Sequence, residues 1–167
     1  KAAGVPLLMG FNRRFDPSFK ALRDRLQAGE LGKVESIKIT SRDPQPPPPA
    51  YVKVSGGLFR DLMIHDLDMA RYLLPDEPTQ VFAMGSVLVD KAIGEAGDVD
   101  SAMVILKTPT GRLAHIDNSR RAAFGYDQRV EAFGEKGMLQ AHNPTPTAVV
   151  ATTSAGQQSD KPFHFFL

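Results

Sequence analysis

Asp61, His65, Asp68 and Tyr72 follow one another at intervals of 4, 3 and 4 residues. On a helix turning about 100° per residue, that spacing puts all four in one line down a single face. Residues 58–74, between Gly56-Gly57 and Pro75, carry the strongest helix signal in the sequence. Met63, Leu67, Ala70 and Leu74 fall on the opposite side with Phe59 close by, and Arg60 and Arg71 share a third sector as solvent contacts. The polar line is therefore expected to face something other than bulk water.

Three readings of that line stay open on spacing alone. The plainest is a solvated or salt-bridged helix face. A metal site is the second, because His65 with Asp61 or Asp68 offers facially arranged nitrogen and oxygen ligands. His115, His142 and His164, however, have no spacing that would add to it. The third is acid–base catalysis, in which Asp61, one turn earlier, orients the imidazole and His65 exchanges a proton with a substrate hydroxyl. Gly56-Gly57 favours the third, since two glycines let a ligand or backbone come close to the helix start.

Weaker candidates lie elsewhere. Asn12-Arg13-Arg14 follows an apolar run and precedes a helix start, a place where Arg13 can hold a polyol or an anion, or simply a surface carboxylate. Tyr126 stands where a turn enters a strand and reads equally as packing. There is no Gly-x-Gly-x-x-Gly after a strand, no Walker loop and no Gly-x-Ser-x-Gly elbow.

The elements that must position these residues divide into two halves. Lys1-Ala2-Ala3-Gly4 reads as a helix end and residues 5–11 as a buried strand, confined by Pro6 to an edge or a strand start. Asp16-Pro17 opens a helix with Phe19, Leu22, Leu26 and Leu31 as its inner stripe. Residues 34–41 alternate as a strand, and the prolines at 44 and 46–49 make residues 42–51 a stiff extended loop. A polyproline ligand for an aromatic groove is the functional alternative for that loop. From Thr79 onward, strands are expected at 80–89, 99–107, 112–119, 128–133, 138–141 and 147–152, joined by short turns. Short turns imply antiparallel neighbours. The fold class is therefore α+β: an open, mainly antiparallel sheet with helices packed on one face. Val81, Ala83, Ser86, Leu88, Val104 and Leu106 are the residues expected on the other face if it meets a partner.

Composition narrows the partners. The 167 residues carry 20 basic and 19 acidic groups, which gives no electrostatic footprint for nucleic acid or an anionic membrane. No apolar run approaches the roughly 20 residues of a membrane helix. With no cysteine there is no disulfide scaffold and no thiolate chemistry, in keeping with a cytoplasmic protein.

The segments GFNRRFDP (residues 10–17), LGKV (31–34), SRDP (41–44), GGLFRDLMIHDLDMARYLL (56–74) and EAFGEKG (131–137) occur in this order. Together they resemble the C-terminal domain of the glucose–fructose oxidoreductase/inositol dehydrogenase (GFO/IDH/MocA) family, on the side of its inositol-oxidising members. The resemblance covers essentially the whole chain. It implies a substrate-binding and oligomerisation domain that follows a Rossmann domain binding NAD, with homo-oligomers forming through the open sheet face. In the family's motif helix, Asp61 assists and His65 takes the proton of a ring hydroxyl. Asn12, Arg13, Asp43, Asp68 and Tyr126 fall on positions that hold hydroxyls of a small polyol substrate. No metal is implied. The resemblance also implies that residues 1–167 are a fragment, lacking the cofactor domain, its catalytic Lys and the closing helical segment, and inactive alone. Another sugar or polyol dehydrogenase, or a non-catalytic scaffold on the same fold, is the alternative.

Overall fold

The computed structural model describes residues 3–163; Lys1, Ala2 and residues 164–167 lie outside it, and with them the start of the expected first helix end, His164 and the apolar chain end. Residues 5–11 form no strand. Leu7 and Leu8 stand 87% and 92% exposed, because no described strand offers their backbone a ladder and no described element covers their side chains. A 3-10 turn at Asn12–Phe15 then leads into α1 (Pro17–Gln27). Here the sequence chemistry operates as expected. Asp16 accepts hydrogen bonds from the N–H groups of Ser18 and Phe19, Pro17 fills the first turn, and Phe19, Leu22 and Leu26 are buried. Asp16→Ala should cost about 1 kcal/mol of stability, read as a lowered denaturant midpoint at unchanged slope.

β1 (Val34–Arg42) buries Ile37 and Ile39 on its inner side. The proline loop after it ends sooner than expected, since Pro49 opens α2 (Pro49–Ser55). Proline is excluded from helix interiors but suits a first turn. The helix expected over 58–74 is two helices, α3 (Gly57–Asp61) and α4 (Met63–Leu73), meeting at Leu62. The His65 N–H bonds to the Leu62 carbonyl at 3.2 Å, a tightened turn that breaks the even rotation of one long helix. Of the two glycines, Gly56 lies against the Arg60 side chain and Gly57 admits a protein carboxylate. Gly57 has φ +77° and a Cβ there would lie 2.7 Å from Asp98 Oδ1, while Asp98 Oδ2 accepts the Leu58 N–H at 2.8 Å.

The second half is β2 (Gln80–Ser86), α5 (Lys91–Glu95), β3 (Ser101–Lys107), β4 (Leu113–Ser119), β5 (Asp127–Gly134), β6 (Gly137–Ala141), β7 (Val150–Thr153) and β8 (Gly156–Ser159). Six strands form one sheet in the order β2-β3-β4-β1-β5-β6, while β7 and β8 pair apart as a hairpin. Short turns do make antiparallel neighbours, but β1 inserts between β4 and β5 and lies parallel to β4. The 70 residues of helix and strand between them serve as the crossover that a parallel pair needs (from position 43 to 112). α5 and β8 were not legible; α5 is a single turn capped by Asp90.

Ile37, Ile39, Val104, Leu106, Ile116 and Val130 from the sheet meet Leu22, Leu58, Met63, Met69, Ala70 and Leu73 from the helices in one core. Val104 and Leu106 thus face the helices, contrary to expectation; the alternation of β3 puts Met103 and Ile105 outside with Phe82 and Met84. Phe59 is also more exposed than its sector predicts. No helix among the described residues is long and apolar enough to cross a membrane.

Candidate functional site

β1 and β4 run parallel, so both finish at the same sheet edge, and the antiparallel β5 begins there. At that edge the inward row changes from apolar to polar. Ser41 is in register with Asn118 on one side and Gln128 on the other, and all three are buried. Arg13, from the 3-10 turn, and Asp66, from α4, close over them. Arg13 Nη1 bonds to Asp66 Oδ1 and Nη2 donates to Ser41 Oγ at 3.0 Å. Asn118 Nδ2 donates to Asp66 Oδ2 at 2.8 Å, and Gln128 Nε2 to Ser41 Oγ at 3.0 Å. Asp66 is fully buried, and burial pushes its carboxyl pKa up against the opposing pull of Arg13 and Asn118.

This floor lies under an open cleft of about 920 Å³. Asn12, Arg13, Asp43, Asp61, His65 and Tyr126 all line it, as do Arg120, Gln128, Gln45, Leu62 and the prolines at 44 and 46–48. The stiff proline segment is therefore a wall of the cleft. Of the residues expected to touch substrate, Asp68 is the one the structure sends elsewhere. Asp68 keeps its place one turn beyond His65 on α4, and there Arg14 grips both its oxygens at 2.6 and 2.8 Å. Tyr72 goes the same way, its ring under the guanidinium groups of Arg14 and Arg23.

Asp61 and His65 remain beside the cleft, but not as an orienting pair. Asp61 Oδ2 takes a hydrogen bond from Arg120 Nη2 at 2.8 Å and Oδ1 one from the Tyr51 hydroxyl at 2.7 Å. His65 Nδ1 is buried without a hydrogen-bond partner among the described residues, and the imidazole meets the Phe11 ring edge to face at 6.4 Å. Burial, and then the Arg13 cation, lower the His65 pKa, outweighing Asp66, Asp61 and Asp68. The imidazole is consequently held neutral at physiological pH, the form that can accept a proton.

Asp43 follows directly on β1, and its N–H bonds to the Ser119 carbonyl at 3.0 Å, continuing the parallel ladder. Burial raises its carboxyl pKa, while a hydrogen bond from Arg120 Nη1 at 3.0 Å opposes the rise. The Tyr126 hydroxyl is likewise raised by burial and then by Asp43. Sequence reasoning missed Asp66, Arg120 and Gln128. Asp66 neighbours His65 and had no partner at helical spacing; Arg120 and Gln128 stand just outside a strand end and just inside a strand start, where only the register reveals them.

A cleft floored by paired polar groups, walled by carboxylates and flanked by one histidine is an arrangement that can accept hydrogen bonds from hydroxyls and exchange a proton. The chain belongs to the GFO/IDH/MocA family: the model of that family's C-terminal domain matches residues 19–140. It is 54% identical over its whole length to a myo-inositol 2-dehydrogenase of Thermotoga maritima, covering 50% of that protein. The crystal structure of a probable dehydrogenase from the same organism superposes with a TM-score of 0.94 at 53% identity, over 99% of this chain and 50% of that one. A scyllo-inositol dehydrogenase from Lactobacillus casei, solved with NAD(H) and scyllo-inositol bound, superposes with a TM-score of 0.81 at 29% identity, over 96% of this chain and 48% of that one. The chain thus spans about half the length of the relatives it matches.

Proposed function

We propose that this chain is the substrate-binding domain of an NAD-dependent inositol dehydrogenase, which oxidises a ring hydroxyl of myo-inositol to the ketone. The observation that carries the reading is His65, desolvated beside a cleft lined by Asp43 and Asp61, carboxylates able to accept hydrogen bonds from hydroxyls. The hydroxyl proton passes to the His65 imidazole as the C–H bond breaks and the carbonyl forms. NAD, when bound, supplies the acceptor for the departing hydride. Asp43, Asp61 and Tyr126 hold neighbouring hydroxyls, with Asn12 reaching in from the turn before α1. Arg13 acts from below, setting the floor with Asp66 and holding His65 in its basic form. The sequence has no dinucleotide-binding glycine loop, so the groups that would hold the dinucleotide belong to another domain of the full-length protein.

The setting is cytoplasmic and the parent enzyme a homo-oligomer. The outer sheet face, with Phe82 62%, Met84 66% and Met103 58% exposed, supports assembly there. The test is an assay of the full-length protein with NAD and a panel of cyclitols and sugars. NADH formation with myo-inositol is expected; no NADH with any of them would overturn the proposal.

A further inference from the structure

Arg120 lies just after β4, 4% exposed, with its own N–H fixed to the Asp100 carbonyl at 2.8 Å. The Asp100 carboxylate in turn accepts the N–H groups of Leu88, Val89 and Asp90, each at 2.8 or 2.9 Å. A buried, anchored backbone thus delivers a planar fork into the cleft wall. One Nη reaches Asp43, at the end of β1, and the other reaches Asp61, at the end of α3. Those two carboxylates come from different elements, and the single Arg120 guanidinium pairs with both. Each still has lone pairs to offer a ligand, because a carboxylate has about four acceptor positions.

We propose that Arg120 is a positioning residue, fixing Asp43 and Asp61 as a matched pair of acceptors for two hydroxyls of the substrate. The inference rests on the polyol-oxidising reading above. Geometry selects arginine, since one guanidinium can bridge two carboxylates and an ammonium point charge cannot hold both in a set orientation. Charge selects it as well. The groups facing Asp43 are Arg120, Asp61, Arg13 and Tyr126, and those around Asp61 are Arg120, Tyr51, Asp43 and His65. Take Arg120 away and Asp43 is left facing a second carboxylate, with Arg13 already committed to Asp66. Burial, which raises Asp43, then acts with its main opponent removed.

The test is the pH profile of kcat/KM for cyclitol oxidation by the full-length protein, compared with Arg120→Met and Arg120→Lys. Arg120→Met should lower kcat/KM roughly 10- to 100-fold and move the acid limb upward, because Asp43 must then also be ionised at a pH where His65 is already basic. Arg120→Lys should bring the limb back toward wild type while KM stays raised, because charge is restored without the bridge. A purely structural role would lower the amplitude and leave the limb in place, and that result would overturn the inference. If Arg120→Met does not fold, Arg120→Lys decides: a wild-type KM overturns the proposal and a raised KM supports it. Turnover by the wild type with unshifted variants sinks the Arg120 inference alone, whereas a wild type that oxidises no cyclitol takes the underlying reading down with it.

Discussion

Replacing His65 by alanine in the full-length protein is expected to lower kcat for inositol oxidation by about 10²–10⁴, the usual contribution of a positioned acid–base group. KM should change only a few-fold. The hydroxyl contacts belong to other residues, and Asp43, Asp61 and Arg120 keep their mutual hydrogen bonds when the imidazole is removed. Steady-state kinetics separate the two parameters, and a loss seen mainly in KM would make His65 a binding residue instead. The expected size follows from the environment. Burial and then Arg13 lower the imidazole's pKa, which favours its neutral, proton-accepting form. Asp61, which accepts one hydrogen bond at each oxygen from Arg120 and Tyr51, is placed to hold a hydroxyl and not to substitute for the imidazole.

The second large effect is on stability. Asp66→Ala removes one partner of a fully buried ion pair and leaves Arg13 charged, buried and facing a void. Breaking such a pair costs about 3–5 kcal/mol, because the remaining charge loses its compensation and cannot regain water. Asn118 and Ser41 lose an acceptor as well. Against a total stability of about 5–15 kcal/mol for a typical domain, that loss is large enough to move the unfolding midpoint by many degrees. Differential scanning calorimetry of the full-length variant reads it directly. Replacing both members, Arg13→Met with Asp66→Leu, should recover much of the stability while destroying the polar floor. A single variant as stable as wild type would show that Arg13 and Asp66 are not paired as described.

These two residues also mark how far the sequence could be read. His65 was visible, because helical spacing and the family motif both point to it. Asp66, its neighbour, was not: its partners Arg13 and Asn118 lie 53 and 52 residues away, and no local period reports contacts of that range. Asp16-Pro17 announced α1 because capping is chemistry of adjacent residues. The insertion of β1 between β4 and β5 was hidden, since hydrophobic alternation fixes the inward side of a strand but not its neighbour. That pairing is what brings Ser41, Asn118 and Gln128 into one row and Asp43 to Arg120. Asp68 shows the converse failure. Even spacing put it on the His65 line, but one turn further along α4 it meets Arg14, 54 residues away in sequence, and not the cleft. Residues 5–11 read as a buried strand from their apolar run, yet apolar character reports a need for cover and not which element gives it.

The measurement that bears most directly on His65 as the proton acceptor is the pH dependence of kcat/KM for myo-inositol in the full-length wild type and in His65→Ala. A histidine whose pKa is lowered becomes basic as pH rises through a value below its ordinary 6.5, so activity should climb to its plateau through that lower value. In His65→Ala that limb should vanish, leaving a small residual rate without it. A wild-type limb at or above pH 6.5, or one that persists unchanged in His65→Ala, would contradict the account.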